Sequence, residues 1–255
     1  MLNKERPEIP EEKIIQVNNK KKIDFAKKKY KFIYFDLWFH LLTLPFYLIC
    51  YVIVFLCCIF FSFRVEGLKN RKFLKKQGCI TVSNHCHYFD TILVNFVLFP
   101  MRVYVSVVQR NFEVPFVRII LRALRAFPIP SGFAGLKMIT EPIGEALKRG
   151  YHIHILPEGN LVHLSQTIYR FKDGAFYQSY IHQVPVVPMV YVFTRRKLFG
   201  KELPKNWIKI KMVMGEPVFP PPKDDSNKLP KQQLKEMSEK IASWMEEQIS
   251  NNHKN

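Results

Sequence analysis

Acidic side chains are scarce in this sequence. Asp and Glu supply 21 of the 255 residues against 39 Lys and Arg, so the formal net charge is +18. Such an excess predicts an anionic partner, and lipid headgroups, nucleic acids and anionic substrates all qualify. With 48% apolar residues the chain is too apolar for a disordered basic tail. With a mean hydropathy of −0.07 it is too polar for a polytopic membrane protein, and its length suits one large domain with an appendage.

Paired cysteines are also lacking. The sequence has five cysteines, an odd number, and no two of them form a C-x-x-C pair. Neither a disulfide framework nor a zinc ribbon is therefore indicated, and a reducing cytosolic environment fits the pattern. Apart from the pair His85 and His87, no cluster of His, Cys and carboxylate residues has the spacing of metal ligands, so we expect no bound metal.

Charge of either sign is absent from residues 37–63, a run of 27 residues rich in Leu, Phe, Ile, Val and Cys. Roughly 20 apolar residues span the hydrocarbon core of a bilayer, so this run predicts a membrane segment rather than a buried core helix. Residues 1–31 carry a balance of +5, and residues 64–77 carry another +5. More than half of the net charge therefore flanks the apolar run, which favours a membrane surface over nucleic acid as the partner.

The topology of this segment has two interpretations. Pro45 lies inside the run, where a proline disfavours a continuous helix. The first interpretation is a single anchor over residues 46–63, and the second is a shallow helix pair that enters and leaves on the same face. Basic flanks on both sides favour the second, because the positive-inside rule cannot place both flanks of one span in the cytoplasm. A cleaved signal peptide is not indicated, since the preceding basic region is too long.

Short β-rich runs alternate with amphipathic helices after the apolar run. This alternation predicts an α/β domain with a mostly parallel central sheet flanked by helices. We expect strands at residues 79–83, 103–107, 127–129, 152–156, 184–193 and 208–214, and helices at residues 89–96, 115–126 and 137–148. We divide the chain into a basic N-terminal tail (1–31), a hydrophobic membrane segment (32–63), a central domain (64–218), and a linker with a C-terminal amphipathic helix (219–255).

Polar residues that can carry chemistry follow the first predicted strand of this domain. Asn84 and His85 come directly after the strand, and Asp90 lies five residues beyond His85. If a helix begins near Tyr88, Asp90 returns towards His85, where a carboxylate accepts one imidazole N–H. The other ring nitrogen is then free to take a proton from a hydroxyl. Taken alone, this spacing is better explained by a structural helix-cap pair.

Further blocks follow in a fixed order, namely Leu156-Pro157-Glu158-Gly159, Phe171-Lys172-Asp173-Gly174-Ala175 and Val184-Pro185-Val186-Val187-Pro188. Together with the N-H-x4-D block, they resemble the lysophosphatidic acid acyltransferase family of glycerolipid acyltransferases over roughly residues 64–217. The resemblance implies an enzyme of phospholipid synthesis that moves a fatty acyl group from an acyl thioester to a lysophospholipid hydroxyl. It implies acyl-CoA or acyl-carrier protein as donor, 1-acyl-glycerol-3-phosphate as the simplest acceptor, and no cofactor. It also implies a membrane location with the active site on the cytoplasmic face.

The resemblance also assigns roles to single residues. His85 would be the general base on the acceptor hydroxyl, Asp90 would orient it, and Asn84 would shape the turn. Glu158 and Gly159 would help to form the acceptor site, with Lys172 and Gly174 close to it.

The sequence departs from the family pattern at two places, because Ser131 and Leu161 stand where arginines are usual. Those arginines would be expected to hold the acceptor phosphate. Nearby cations that could replace them are Arg122, Arg125, Arg170 and Lys172. Alternatively, the acceptor is another lysophospholipid or glycerol 3-phosphate, or the chain is a non-catalytic basic membrane-surface protein. A nucleic-acid binder has the charge in its favour but lacks a binding motif.

Overall fold

The computed structural model describes residues 6–13, 30–130, 132–199, 201–204, 207–223 and 228–253. Most of the predicted basic tail lies outside the described residues. Ser131, one of the two positions where the sequence lacks an expected arginine, also lies outside them.

A mixed sheet forms the centre of the protein. Within the described residues, seven strands follow the order β1-β9-β6-β2-β5-β3-β4, and only the β6–β9 pair is antiparallel. A separate hairpin of β7 and β8 connects β6 to β9. This architecture confirms the predicted α/β fold with a mostly parallel sheet. The strands are β1 (Arg64–Glu66), β2 (Ile80–Ser83), β3 (Val103–Val108), β4 (Ala126–Ile129), β5 (His152–Ile155), β6 (Val186–Arg195), β7 (Lys197–Leu198), β8 (Lys201–Glu202) and β9 (Ile208–Met214).

Helices cover both faces of this sheet, as a mostly parallel sheet requires. Val190 and Val192 of β6 point to the face covered by α7, α8 and α9, whereas Met189 and Tyr191 point to the face covered by α1 and α3. The helices are α1 (Leu37–Phe60), α2 (Arg71–Leu74), α3 (Asp90–Leu98), α4 (Gln109–Phe112), α5 (Pro115–Ala123), α6 (Gly132–Met138), α7 (Thr140–Lys148), α8 (Gly174–His182) and α9 (Lys231–His253).

The helix expected over residues 137–148 is divided between α6 and α7, which meet at Ile139. Pro142 explains the division, because it has no N–H to donate to the carbonyl of Met138 in a continuous helix. In the first turn of α7 that missing donor costs nothing, since the first N–H groups of a helix have no partner within it.

The apolar run forms one continuous helix, α1, with Pro45 inside it. The expected helix pair is therefore wrong, and the helix begins nine residues before the start expected for the single anchor at residue 46. By length and composition α1 is able to cross a bilayer. Large apolar side chains cover its outward side and are exposed, with Leu42 at 71% and Ile59 at 62%.

The inward side of α1 is packed against the domain from one end to the other. Near its start, His40 Nε2 lies 3.4 Å from Tyr104 Oη. In the middle, the Tyr47 hydroxyl donates to Asn95 Oδ1 at 3.1 Å, and beyond the last turn the Phe61 ring lies 5.4 Å from the His87 ring. The helix thus follows the domain surface for about 30 Å.

Gly67, just after β1, allows the backbone to pass close to Met214 at the end of β9. It has a φ of +74°, and a Cβ atom there would lie 2.1 Å from the Met214 carbonyl oxygen. Gly150 has nearly the same φ, +75°, with open space around it. We predict that Gly150→Ala lowers the free energy of unfolding by about 1–2 kcal/mol, the cost of a left-handed alanine. Gly67→Ala should cost distinctly more in denaturant unfolding followed by circular dichroism, and equal losses would contradict this close approach.

Candidate active site

The His85 loop lies at the carboxyl edge of the sheet. β2 ends at Ser83 and leads directly into Asn84 and His85. Its parallel neighbour β5 is in register with it, with Val82 opposite Ile155, and the chain after β5 leads to Glu158. Two sequence blocks that are 73 residues apart therefore meet at one edge.

A histidine and an aspartate are paired within this loop. His85 Nδ1 lies 3.2 Å from Asp90 Oδ2, and the same oxygen accepts the backbone N–H groups of Cys86 at 2.7 Å and His87 at 2.9 Å. Asp90 is the first residue of α3 and is fully buried, whereas the His85 side chain is 21% exposed. Because Nδ1 faces the carboxylate, Nε2 points away from it. Of the two alternatives that the sequence offered, the geometry shows the imidazole–carboxylate pair. The carboxylate accepts N–H groups of the loop before α3 and does not cap the helix.

Glu158 fixes the backbone of the His85 loop from the other side. Its Oε2 accepts the N–H of His85 at 3.0 Å, and its Oε1 accepts the N–H of Tyr169 at 3.1 Å. Burial raises the pKa of Glu158 to about 8, although the two N–H donors act in the opposite direction, and the charge of Asp90 adds to the rise. The Glu158 carboxyl group thus joins two loops of the protein, and its two oxygens are occupied by backbone donors.

Gly159 and Lys172 lie together next to Glu158. Gly159 has a φ of +79°, and a Cβ atom there would lie 2.5 Å from Lys172 Nζ. The Lys172 N–H donates to the Pro157 carbonyl at 2.8 Å. The lysine side chain therefore passes over the glycine, as the expected proximity of the two blocks requires. Gly174, the first residue of α8, has more room, with Leu136 3.5 Å from the place of a Cβ atom.

Asn84 extends the pairing of β2 with β6 through its side chain. Its Oδ1 accepts the N–H of Tyr191 at 2.8 Å, and its Nδ2 donates to the Tyr191 carbonyl at 3.1 Å. The hydroxyl of Tyr191 in turn donates to the carbonyl of Asp90 at 2.6 Å. Asn84 is buried and shapes the turn that precedes His85, and its amide is engaged inside the protein.

The structure does not bring Arg122 or Arg125 to His85. Arg125 directly precedes β4 and lies level with the start of β2, at the amino edge of the sheet. Its guanidinium lies 4.5 Å from the centre of the Tyr47 ring on α1, while Arg122 donates to the Tyr30 hydroxyl at 2.8 Å. Both guanidinium groups therefore contact α1 or the segment before it.

Arg170 is another cation that the sequence offered as a substitute for the missing arginines, and Leu161 stands at one of the positions that lack one. Arg170 belongs to the loop that Glu158 holds, but its exposed side chain forms an ion pair with Glu8 at 3.0 Å. Leu161 is half-buried. A role for Arg122, Arg125 or Arg170 in binding an acceptor phosphate stays a prediction that no contact in the structure supports.

Sequence reasoning missed a buried polar chain beneath the His85 loop. His154 of β5 is fully buried, with Nδ1 2.9 Å from Thr81 Oγ1 and Nε2 3.3 Å from Ser83 Oγ. The Ser83 hydroxyl donates to the carbonyl of Asn84 at 3.2 Å. His152 and His154 alternate along β5 and share one strand face, and the hydroxyl partners of His154 come from the neighbouring strand β2.

An α/β sheet with a His–Asp pair at its carboxyl edge is a framework that enzymes use for acid–base chemistry. A family model described as acyltransferase matches residues 62–192, which is just over half of the chain. The chain therefore belongs to the acyltransferase family and is an acyltransferase, which confirms the resemblance seen in the sequence.

Two individual proteins are similar to this chain. A 1-acyl-sn-glycerol-3-phosphate acyltransferase of Bacillus subtilis (strain 168) is 27% identical over 142 residues, covering 56% of this chain and 67% of that protein. The crystal structure of the 1-acyl-sn-glycerophosphate (LPA) acyltransferase PlsC from Thermotoga maritima matches with a TM-score of 0.49 and 21% identity. That match covers 72% of this chain and 71% of the other.

The burial of His154 predicts a loss of stability in acid. Burial, and to a smaller degree the neighbouring His85, lowers the pKa of His154 from its ordinary value of 6.5 to about 3. Between these values the unfolded chain binds a proton that the folded protein excludes, so stability falls as the pH falls from about 6.5 towards 3. His154→Gln should reduce the slope of unfolding free energy against pH in this window by up to about 1.4 kcal/mol per unit. His163→Gln, at an exposed histidine, is the control, and equal slopes in all three proteins would contradict the prediction.

Proposed function

We propose that the protein transfers a fatty acyl group from an acyl thioester to the hydroxyl of a lysophospholipid, with 1-acyl-glycerol-3-phosphate as acceptor. The observation that carries the proposal is the partly exposed His85 ring, held by the buried Asp90 at the carboxyl edge of the sheet. The choice of acceptor is supported by the similarity to the 1-acyl-sn-glycerol-3-phosphate acyltransferase of Bacillus subtilis. Acyl-CoA and acyl-carrier protein both present the required thioester as donor.

His85 supplies the proton transfers of this reaction. Its Nε2 accepts the proton of the acceptor hydroxyl, while Nδ1–H stays hydrogen-bonded to Asp90. The acceptor oxygen forms a bond to the thioester carbonyl carbon, the carbon–sulfur bond breaks, and the departing sulfur takes the proton from Nε2. The acceptor itself is the nucleophile, so no serine or cysteine of the protein is required.

Glu158 and Asn84 act as positioning residues in this proposal. Glu158 holds the N–H of His85, and Asn84 holds the preceding residue against β6. Both side chains are buried and hydrogen-bonded within the protein, so they set the direction of the imidazole rather than bind the substrate.

A different acceptor headgroup is the second candidate. Leu161 replaces one usual arginine, and Arg122 and Arg125 contact α1 or the segment before it instead of the His85 loop. A binding site with fewer cations favours another lysophospholipid over 1-acyl-glycerol-3-phosphate, and it retains Lys172, whose side chain lies over Gly159 next to Glu158.

Acceptor-dependent release of thiol from acyl-CoA tests the proposed reaction. Wild-type protein should release thiol only when a lysolipid is present, and a panel of lysolipids and glycerol 3-phosphate identifies the acceptor. His85→Ala should lower kcat about 10²- to 10⁴-fold, the usual contribution of a general base. His182→Ala, at the end of α8, is the matched control and should keep the wild-type rate. Thiol release that is independent of acceptor, or unchanged in His85→Ala, would count against the mechanism.

We also propose that α1 lies along the cytoplasmic surface of a membrane rather than crossing it. Because α1 is packed against the domain from His40 to Phe61, it cannot pass through a bilayer apart from that domain. Its exposed apolar side chains can enter one leaflet while the basic flanks meet the headgroups. The free cysteines Cys79 and Cys86 fit a reducing compartment.

The sidedness of the two flanks of α1 tests this placement. Lys31→Cys and Lys69→Cys each put an exposed thiol on one flank. Both variants should react with a membrane-impermeant thiol reagent in inverted membrane vesicles and be protected in right-side-out vesicles, with the parent chain as control. Labelling of one flank in each kind of vesicle would show a span instead.

A further inference from the structure

A third concentration of positive charge lies far from the apolar run in sequence. Residues 195–211 contain seven Lys or Arg and one Glu, a balance of +6, which is one third of the net charge. The proposed acyl transfer uses none of these residues. We call the described part of this segment, residues 195–199, 201–204 and 207–209 with β7 and β8, the basic hairpin.

The basic hairpin projects from the same edge of the sheet as His85. β6 is parallel to β2, with Ser83 opposite Met189, and then continues for six more residues to Arg195. At about 3.3 Å per residue, Arg195 lies roughly 20 Å beyond the end of β2. The hairpin therefore stands outward from the candidate site rather than beside the core.

Direct contacts join the basic hairpin to the end of α1. The Arg196 guanidinium donates to the carbonyl of Phe60 and, at 3.0 Å, to Ser62 Oγ. The Trp207 ring lies 5.7 Å from the Phe60 ring. A cation at the carboxyl end of a helix is favourable, since the helix dipole places partial negative charge there. The exposed apolar side of α1 and the hairpin therefore adjoin each other.

The outer surface of the basic hairpin combines cations with exposed aromatic rings. Phe199 is 97% exposed between Lys197 and Lys201, and Trp207 is 47% exposed. An open groove of about 710 Å³ runs beside the hairpin, lined in part by Arg195, Lys197 and Lys209. The single carboxylate of the segment, Glu202, pairs with Arg195 at 2.7 Å. The other Lys and Arg residues of the segment keep its net charge positive.

We propose that the basic hairpin binds anionic lipid headgroups on the membrane surface in which α1 lies, with Phe199 inserted at the interface. This inference rests on the proposed membrane placement of α1. Aromatic rings flanked by lysine are typical of membrane-interface anchors, and each Lys or Arg close to an anionic surface is attracted to it. A pocket for a soluble anion does not require an exposed phenylalanine such as Phe199, whereas a membrane interface can bury its ring. Contact of the hairpin with lipid brings the carboxyl edge of the sheet, and with it His85, towards the bilayer.

Flotation of the full chain with vesicles tests the proposal. Wild-type protein should partition more strongly into phosphatidylcholine vesicles that contain phosphatidylglycerol than into pure phosphatidylcholine vesicles, and added salt should remove the difference. In Lys197→Gln/Lys201→Gln, each lost charge should weaken partitioning into the anionic vesicles about fivefold and leave partitioning into neutral vesicles unchanged. Phe199→Ser should weaken partitioning into both. The matched control is Lys235→Gln/Lys240→Gln on α9, on the opposite face of the sheet, which should behave as wild type.

The outcomes separate this proposal from the ones before it. Because the basic flanks of α1 also favour anionic vesicles, wild-type binding by Lys197→Gln/Lys201→Gln would overturn the basic hairpin alone. Binding of wild-type protein to neither kind of vesicle would overturn the membrane placement of α1. Loss of the anionic preference on addition of free coenzyme A would assign the groove to a nucleotide instead and overturn the lipid assignment. His85→Ala should bind vesicles as wild type does, so a failure of the catalytic mechanism leaves this result intact.

Discussion

Asp90 Oδ2 is the atom on which the candidate site depends. It pairs with the His85 imidazole and accepts two backbone N–H groups, so a single oxygen at the start of α3 closes the turn after β2 and holds the His85 ring. The other side of the loop is held by Glu158 through the N–H of His85. Two buried carboxyl groups thus fix a short stretch of backbone between them, which is how a loop residue reaches the precision that proton transfer requires.

Much of this arrangement follows from sequence, because it depends on local spacing and on strand order. His85 follows β2 and Asp90 begins the next helix five residues later, so this short connection keeps the two side chains close. The role of Glu158 was not predictable, since its second partner, Tyr169, lies across a loop without regular structure. The continuity of α1 through Pro45 was also missed, because the packing of the helix against the domain outweighs one lost hydrogen bond.

The positions of Arg122 and Arg125 depend on the topology of the sheet rather than on the chemistry of their side chains. Arg122 and Arg125 were expected near the site because they are close in sequence to the strand that carries an arginine in the family. They precede β4, however, whereas the family residue follows it, and the two ends of a short strand open on opposite edges of a parallel sheet. The order of residue and strand along the chain already contained this distinction. Charge alone could not reveal it.

The contact between His87 and Phe61, the residue directly after α1, joins the apolar helix to the proposed catalytic loop. His87 donates its backbone N–H to Asp90, so the ring that packs on α1 belongs to the same turn that orients His85. A shortened chain without α1 would uncover this turn and the apolar side chains around Val54 at the same time. The helix is therefore part of the folded domain, and its removal would expose apolar core next to the proposed His85 site.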